Sequence, residues 1–262
     1  IGEHYGGMDE LVVKYMDEQI EWFKIFGGSN SDIFNTINCD QGIIVGGESY
    51  SIDHDLIGND STNFKIGIFA SLDLEGGLNW FNSHKERFDF TITSADYTDE
   101  VIFSGYLNDL TSDEIFIFSV DEFGTITNLK IFSYSGNDYV HDLLVDESII
   151  LVGSTNSSEF NVPGQRGLVL ELDANWEIIN SYTDKSSSLS IYSNIDKLDQ
   201  IYISGSINKH EKQEFSNSEG LIGTYDGEFV SIENDLSIVT GISRTSLGDI
   251  VFGGTIIKDK YL

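Results

Sequence analysis

Short apolar stretches, each closed by two small residues, recur along the whole chain. They occupy residues 43–47, 101–105, 150–154, 201–205 and 250–254, as in Ile43-Ile44-Val45-Gly46-Gly47. Their starts, at 43, 101, 150, 201 and 250, are 58, 49, 51 and 49 residues apart. Three apolar residues followed by small ones are typical of a short buried strand that another backbone approaches closely. A strand period near fifty residues predicts a repeat architecture, and a β-propeller above all.

A second pattern recurs with the same period as the first. In each copy an apolar strand ends in an aspartate, and a polar turn follows. The five aspartates are Asp17, Asp73, Asp121, Asp173 and Asp226. An aspartate can accept hydrogen bonds from turn amides, and a glycine in the turn can take a positive φ, so each copy predicts a β-hairpin. Because these aspartates recur in every repeat, we interpret them as turn formers rather than as catalytic groups.

The two patterns together predict an all-β fold. Each hairpin type occurs five times, and the chain opens with an Asp-turn hairpin and closes with a Gly-Gly hairpin. The prediction is a five-bladed β-propeller of four-stranded antiparallel blades, formed as a single domain over 1–262. The blades cover about 32–82, 88–132, 138–183, 189–232, and 236–257 together with 8–25. Pairing of the N- and C-terminal hairpins would close the ring and leave no open sheet edge.

Composition narrows the range of partners. The chain has 14 basic and 44 acidic residues, a formal charge of −30, which disfavours nucleic acid and anionic membranes. No stretch of about twenty apolar residues is present, so we expect no membrane insertion. The single cysteine, Cys39, excludes an internal disulfide. The start at Ile1 shows neither an initiator methionine nor a signal peptide, so we expect a mature product or a piece of something longer. We also expect this piece to be a monomeric domain of a larger chain.

The stretch 12–59 resembles a repeat of about fifty residues known from secreted and cell-surface proteins of bacteria. The matching residues are Val12-Val13-Lys14-Tyr15, Ile20-Glu21-Trp22, Gly27-Gly28-Ser29 and Asp40-Gln41-Gly42-Ile43-Ile44-Val45-Gly46-Gly47, followed by Asp53-His54-Asp55-Leu56-Ile57-Gly58-Asn59. The match fades to the strand pattern in later repeats, where Trp22 and Trp80 have no counterpart. The resemblance implies a β-propeller located outside the cell or on its surface, and it carries over no catalytic residues.

One polar loop has the chemistry of a calcium site. Asp53, Asp55, Asn59 and Asp60 offer carboxylate and amide oxygens within eight residues, the ligand types that Ca²⁺ takes. The spacing differs from that of an EF-hand loop, and an ordinary polar loop is the alternative. We therefore treat calcium as a candidate ion and expect no other cofactor.

The inner strands would place polar residues at the mouth of the propeller channel. We predict ligand-binding roles there for Asp32, Asn35, Asp138, His141 and Asp142. The five histidines are scattered singly, and no phosphate loop or nucleophile elbow occurs, so we expect no enzyme activity.

The patterns favour an extracellular, non-enzymatic binding, adhesion or scaffold module with a protein or glycan ligand on its loop face. Two alternatives stay open: a lectin-like glycan binder with sites repeated between blades, and a carbohydrate-active enzyme that uses channel-mouth carboxylates.

Overall fold

The structure is a computed structural model, and it describes residues 6–39, 42–56, 64–184, 189–197, 200–208, 218–225, 229–232, 238–244 and 250–255. Within these ranges the chain is almost entirely β-strand. Two single-turn 3₁₀ segments, His54–Leu56 and Ser158–Phe160, lie in loops. In the described part of the chain, no helix is long and apolar enough to cross a membrane.

Twenty strands are described. They are β1 Glu10–Met16, β2 Gln19–Phe26, β3 Asp32–Asn38, β4 Ile43–Ser49, β5 Ile66–Leu72, β6 Leu78–His84, β7 Asp89–Tyr97, β8 Val101–Asn108, β9 Asp113–Val120, β10 Ile126–Phe132, β11 Asp138–Val145, β12 Ile149–Thr155, β13 Arg166–Leu172, β14 Ile178–Thr183, β15 Leu189–Lys197, β16 Ile201–Asn208, β17 Ser218–Thr224, β18 Phe229–Ile232, β19 Ile238–Arg244 and β20 Ile250–Thr255.

These strands form antiparallel sheets in chain order. Four sheets have four strands each: β3–β6, β7–β10, β11–β14 and β15–β18. This confirms the predicted all-β fold of four-stranded antiparallel sheets. The terminal hairpins β1–β2 and β19–β20 each form a two-stranded sheet of their own. The pairing between them that would close a five-bladed ring is therefore not shown.

The chain divides into two compact units, Ile1–Phe132 and Ser133–Leu262. In the first, hairpin β1–β2 and sheets β3–β6 and β7–β10 lie together, and β7 packs against β3, β4 and β5. In the second, β15 packs against β11, β12 and β13, and β19 packs against β15, β16 and β17. The single domain expected from the sequence remains a prediction.

Each unit has its own apolar core between sheets. In the first unit Phe69, Phe90, Phe103, Phe116 and Phe118 are all at most 1% exposed. The rings of Phe90 and Phe116 stack with centroids 3.8 Å apart, and those of Phe103 and Phe118 with centroids 5.0 Å apart.

In the second unit Val152, Val169, Tyr192 and Ile203 belong to one buried cluster, and the Tyr192 ring stacks on that of Phe229 at 4.9 Å. Such aromatic and β-branched contacts are the main favourable contribution to packing two sheets face to face.

Five sheets begin with a strand that carries a β-bulge, namely β3, β7, β11, β15 and β19. The extra residues, where the pairing register shifts, are Asn35, Thr93, His141, Ser193 and Thr240. Opposite each bulge, on the next strand, stands a glycine: Gly47, Gly105, Gly153, Gly205 or Gly254. A Cβ on any of the first four would lie 1.8–2.0 Å from a carbonyl oxygen of the bulged strand. The backbone itself therefore requires glycine there.

The bulges correct the alignment of the third repeat. The sequence pattern matched 150–154 to the other copies and so placed Ser154 at the last position. The structure places Gly153 there, because Gly153 is the residue opposite the bulge, so the third copy begins at Ile149. The pattern was shifted by one residue because Ile149 and Ile150 are both apolar.

Three of the predicted Asp turns are confirmed. Oδ1 of Asp73, Asp121 and Asp173 accepts hydrogen bonds from the backbone amides two and four residues later, at 2.5–3.0 Å. Asp17 differs: with Glu18 it forms a two-residue turn, and both residues have positive φ. Asp226 lies outside the described residues.

Candidate functional site

Two of the predicted ligand-binding aspartates are buried. Asp32 and Asp138 are both 0% exposed, at the first residue of β3 and of β11. Ser49 and Ser51 donate their hydroxyl hydrogens to Asp32, Ser51 at 3.0 Å, and Ser157 donates to Asp138 at 2.6 Å. Burial raises the pKa of Asp32, although these hydrogen bonds oppose the shift.

The same polar arrangement thus begins two sheets. The amide of Ser51 donates to Ser49 Oγ at 2.8 Å, and the amide of Ser157 donates to Thr155 Oγ1 at 3.0 Å. Ser51 Oγ also accepts a hydrogen bond from the backbone amide of Asn30, and Ser157 Oγ accepts one from the backbone amide of Gly136. Both amides belong to the loop before the sheet. These buried carboxylates tie loops to sheets, and ligand binding by Asp32 and Asp138 remains a prediction.

Two further predicted residues bridge neighbouring sheets. Asn35 donates its amide to the carbonyl of Ile92 at 2.9 Å. Asp142 accepts bonds from the side chain of Asn194 at 2.8 Å and from the amide of Ile195 at 3.0 Å. Their polar atoms therefore hold sheets together within a unit.

The fifth predicted residue, His141, is the bulge residue of β11. Its ring lies parallel to that of Tyr139, with centroids 6.2 Å apart. Desolvation by burial lowers the pKa of His141 to about 4, so the imidazole is neutral at pH 7. Asp32 and Asn35 belong to the first unit, whereas Asp138, His141 and Asp142 belong to the second.

The candidate calcium loop binds the chain's own backbone where it is described. Asp53 Oδ1 accepts the amide of Ser29 at 2.8 Å, and Asp55 Oδ2 accepts the amide of Gly27 at 3.2 Å. Asn59 and Asp60 lie outside the described residues. Among the residues that are described, no group of three or more His, Cys, Asp or Glu side chains is placed to hold a metal ion.

A concave site lies in the first unit, between sheets β3–β6 and β7–β10. It is an open cleft of about 690 Å³ at the sheet ends that carry the Asp turns. Its apolar lining includes Ile44, Leu74, Trp80, Tyr97 and Phe123. We call this feature the Trp80 cleft. Its volume falls within the usual range for ligand pockets, roughly 300–1,000 Å³.

Three hairpin turns supply acidic side chains to the Trp80 cleft. They are Asp73 and Glu75 after β5, Asp99 and Glu100 after β7, and Asp121 and Glu122 after β9. Asp73 and Asp121 use Oδ1 to hold their own turns, whereas Glu75, Asp99, Glu100 and Glu122 are exposed. Of the residues that line the cleft, none is lysine, arginine or histidine.

The aromatic floor of the cleft packs against the buried core and a neighbouring turn. The Trp80 ring meets that of Phe69 edge to face, with centroids 5.9 Å apart, and Tyr97 packs against the same buried cluster. A Cβ on Gly124 would lie 2.6 Å from Trp80 Cδ2, so the indole lies directly over this turn. At the rim, Phe123 is 70% exposed and Leu74 is 51% exposed.

Sequence reasoning did not find this cleft, although one signal pointed to it. Trp22 and Trp80 recur at one place in the repeat, and the structure places Trp22 over Gly76 as it places Trp80 over Gly124. The indole Nε1 of Trp22 also donates to the carbonyl of Leu74 at 3.1 Å. The tryptophans therefore mark the contact between consecutive sheets, where the cleft opens.

Comparison with known proteins leaves the family open. No protein-family model matches the chain, and no curated protein matches it. A protein of unknown function from Bacteroides caccae has a solved structure similar to 92% of this chain and 80% of its own, with 10% identity and a TM-score of 0.48. Likeness of this degree supports no inference about function, and the resemblance to bacterial surface repeats remains a prediction.

Proposed function

We propose that this chain is a non-enzymatic binding module that acts outside the cell or at its surface and contacts its ligand at the Trp80 cleft. The observation that carries the proposal is the cleft itself: a concave site with a packed aromatic floor, an exposed apolar rim and carboxylates on three turns. Buried aromatic anchors surrounded by polar groups are the usual make-up of binding sites.

Exposed Phe123 allows a test that spares the fold. Phe123→Ala removes an apolar side chain from the rim, and Leu110→Ala is its matched control. Leu110 is 78% exposed in the turn at the opposite end of β9. Labelled protein would be applied to arrays of glycans and of peptides. We expect Phe123→Ala to weaken binding about fivefold or more and Leu110→Ala to leave it unchanged. Equal effects, or chemical turnover of the bound ligand, would contradict the proposal.

We further propose that the sheets close into the five-bladed propeller expected from the sequence. Support comes from hairpin β1–β2, which has one covered face and one uncovered face. Val12 is 4% exposed, whereas Leu11, Val13 and Tyr15 are 55%, 40% and 65% exposed. An exposed apolar sheet face of this kind marks a surface that another element covers. In a closed ring, a neighbouring sheet would cover it.

A charge on that uncovered face tests the closure. Tyr15→Lys would bury a cation in a closed ring, so we expect the free energy of unfolding to fall by about 2 kcal/mol or more. Leu110→Lys is the control and should change it by less than about 0.5 kcal/mol. If the two variants are equally stable, the face is open to solvent and the ring is not closed.

A lectin-like role is the second candidate function, and the repeated tryptophans favour it. Trp22 and Trp80 occupy equivalent places between consecutive sheets, as a glycan binder with sites repeated between blades would require. The glycan arm of the array experiment decides between the two: binding of glycans alone, weakened by Phe123→Ala, would establish the lectin-like function.

A further inference from the structure

The charged side chains that line the Trp80 cleft are all acidic, and they come from separate turns. Glu75, Asp99, Glu100 and Glu122 stand on three hairpin turns around the opening, and no lysine, arginine or histidine lines the cleft. On the side of Glu75, Lys14 lies just outside the cleft: it pairs with Glu21 at 2.9 Å, and its Nζ donates to the carbonyl of Leu74 at 3.1 Å. Cations that enter a concave site of one charge sign are attracted more strongly than on an open surface. The carboxylates are spread around the opening, which fits a ligand that carries several positive charges along its length.

The floor of the cleft favours the same kind of ligand by a different interaction. The Trp80 ring is fixed edge to face on Phe69 and lies over the Gly124 turn. A guanidinium or ammonium group over an indole face is attracted by the ring quadrupole, and tryptophan is the strongest partner for it. Because the ring is already held in place, little side-chain freedom is lost when a ligand binds.

The size of the cleft favours a polypeptide over a single small amine. The cleft is open, has a volume of about 690 Å³, and reaches from the rim residue Leu74 on one sheet to Phe123 on the next. Both rim residues are more than half exposed. Apolar rim side chains can cover the aliphatic stems of lysine and arginine, whose charged ends then reach the carboxylates.

We propose that the Trp80 cleft binds a basic, arginine- or lysine-rich polypeptide segment of a partner protein. One cationic side chain of the segment lies over Trp80, and others pair with Asp99, Glu100 and Glu122. This inference rests on the proposed function, since it specifies the ligand of the same site.

The test uses the whole chain and a synthetic peptide in which arginine alternates with glycine. Binding is followed by tryptophan fluorescence and calorimetry, and the reference is a peptide with uncharged citrulline in place of arginine. We expect the arginine peptide to bind at least tenfold more tightly than the citrulline peptide, and added salt to weaken it. Trp80→Phe should weaken binding and reduce the fluorescence change, because Trp22, which donates to the carbonyl of the rim residue Leu74, is then the tryptophan left beside the cleft.

Charge-matched variants separate the cleft from the general acidic surface. Glu100→Gln with Glu122→Gln removes two charges from the cleft, and Glu18→Gln with Glu147→Gln removes two exposed charges elsewhere. We expect about a fivefold loss of affinity for the first pair and less than a twofold change for the second, since exposed ion pairs have modest energies.

Each other outcome overturns the inference in its own way. Equal losses for the two pairs would mean attraction to the acidic surface at large. Equal affinity for the citrulline peptide would exclude recognition of charge. A neutral oligosaccharide that binds and depends on Phe123 would refute the basic ligand and leave the proposed function standing. If no glycan or peptide binds, both proposals fail.

Discussion

The indole of Trp80 occupies the space that a side chain at Gly124 would need. A Cβ on Gly124 would lie 2.6 Å from Trp80 Cδ2, and Gly124 has φ +76°. The side chain of Asn82 fixes the same turn, donating to the carbonyl of Gly124 at 2.9 Å. The turn of sheet β7–β10 is thus shaped to fit the last strand of sheet β3–β6.

Gly124→Ala should therefore destabilise the fold by about 3 kcal/mol, part of it from the positive φ and part from the contact with Trp80. In a Trp80→Leu background the clash with the indole is relieved. The clash with Asn82 Nδ2, which would lie 2.5 Å from the new Cβ, and the positive φ both remain, so the same substitution should cost about 2 kcal/mol. A double-mutant cycle by urea denaturation measures both values. Equal costs in the two backgrounds would show that the ring does not limit the turn.

The glycine opposite a bulge should tolerate no side chain. In Gly105→Ala the new Cβ would lie 2.0 Å from the Thr91 carbonyl oxygen, so we expect a loss of about 3 kcal/mol or more. The adjacent residue, Ser104, is 0% exposed, and Ser104→Ala should change stability by no more than about 1 kcal/mol. Denaturation midpoints compare the two. If Gly105→Ala is as stable as Ser104→Ala, the bulge geometry is wrong.

Asp142 should act as a hydrogen-bond acceptor between sheets, and its charge should matter little. The next sheet has Asn194 at the same position relative to the bulge, and its Oδ1 accepts the amide of Ile242 at 3.1 Å. Asp142→Asn keeps one oxygen for Asn194 and Ile195 but turns its Nδ2 toward the Leu143 amide, which donates to Asp142 Oδ1 at 2.9 Å, so it should cost about 1 kcal/mol. Asp142→Ala leaves the Ile195 amide without its acceptor and should cost about 2–3 kcal/mol. Thermal or urea unfolding measures both. If Asp142→Asn cost as much as Asp142→Ala, the carboxylate charge itself would be required.

His141 should make the fold sensitive to mild acid. Its pKa falls from 6.5 to about 4 on folding because burial disfavours the charged ring. The folded state therefore resists protonation, and the stability is complete above pH 6.5 and is lost as the pH falls toward 4. At 1.36 kcal/mol per pH unit this amounts to about 3 kcal/mol.

NMR titration of the His141 imidazole should give a pKa of about 4. Urea unfolding at several pH values should show the free energy of unfolding decreasing between pH 6.5 and 4. His141→Phe removes the titrating group, and its stability should fall less between pH 6.5 and 4 than that of the parent protein. A normal histidine pKa would contradict the prediction.

Sequence alone predicted the local chemistry of the strands and turns well. Asp73, Asp121 and Asp173 hold their turns as expected. Such turns can be predicted from sequence because the carboxylate and the amides that it binds lie within four residues of each other. The bulges were not predicted. Their extra residues, among them Asn35, Thr93 and His141, share no chemical character, and only the glycine on the facing strand marks the position.

The candidate site was harder to predict because it depends on neighbouring sheets. Asn35 and Asp142 have the polar character of channel residues, yet their side chains reach the adjacent sheet. An alternating strand pattern separates two faces and does not reveal what covers either of them. The Trp80 cleft combines residues about forty positions apart, such as Trp80 and Phe123, and no local pattern connects them.

The bulge glycines also suggest how lost relatives of this chain can be traced. The buried residues before them can exchange one apolar or small side chain for another, as Phe103 and Leu151 show, but a residue dictated by the main chain has no substitute. The spacing of these glycines is therefore a marker of the repeat. The intervals between Gly47, Gly105, Gly153 and Gly205 are 58, 48 and 52 residues. Candidate homologues should therefore be aligned first on the spacing of these glycines and only then on their other residues. We expect such an alignment to detect homologues whose other residues no longer resemble those of this chain.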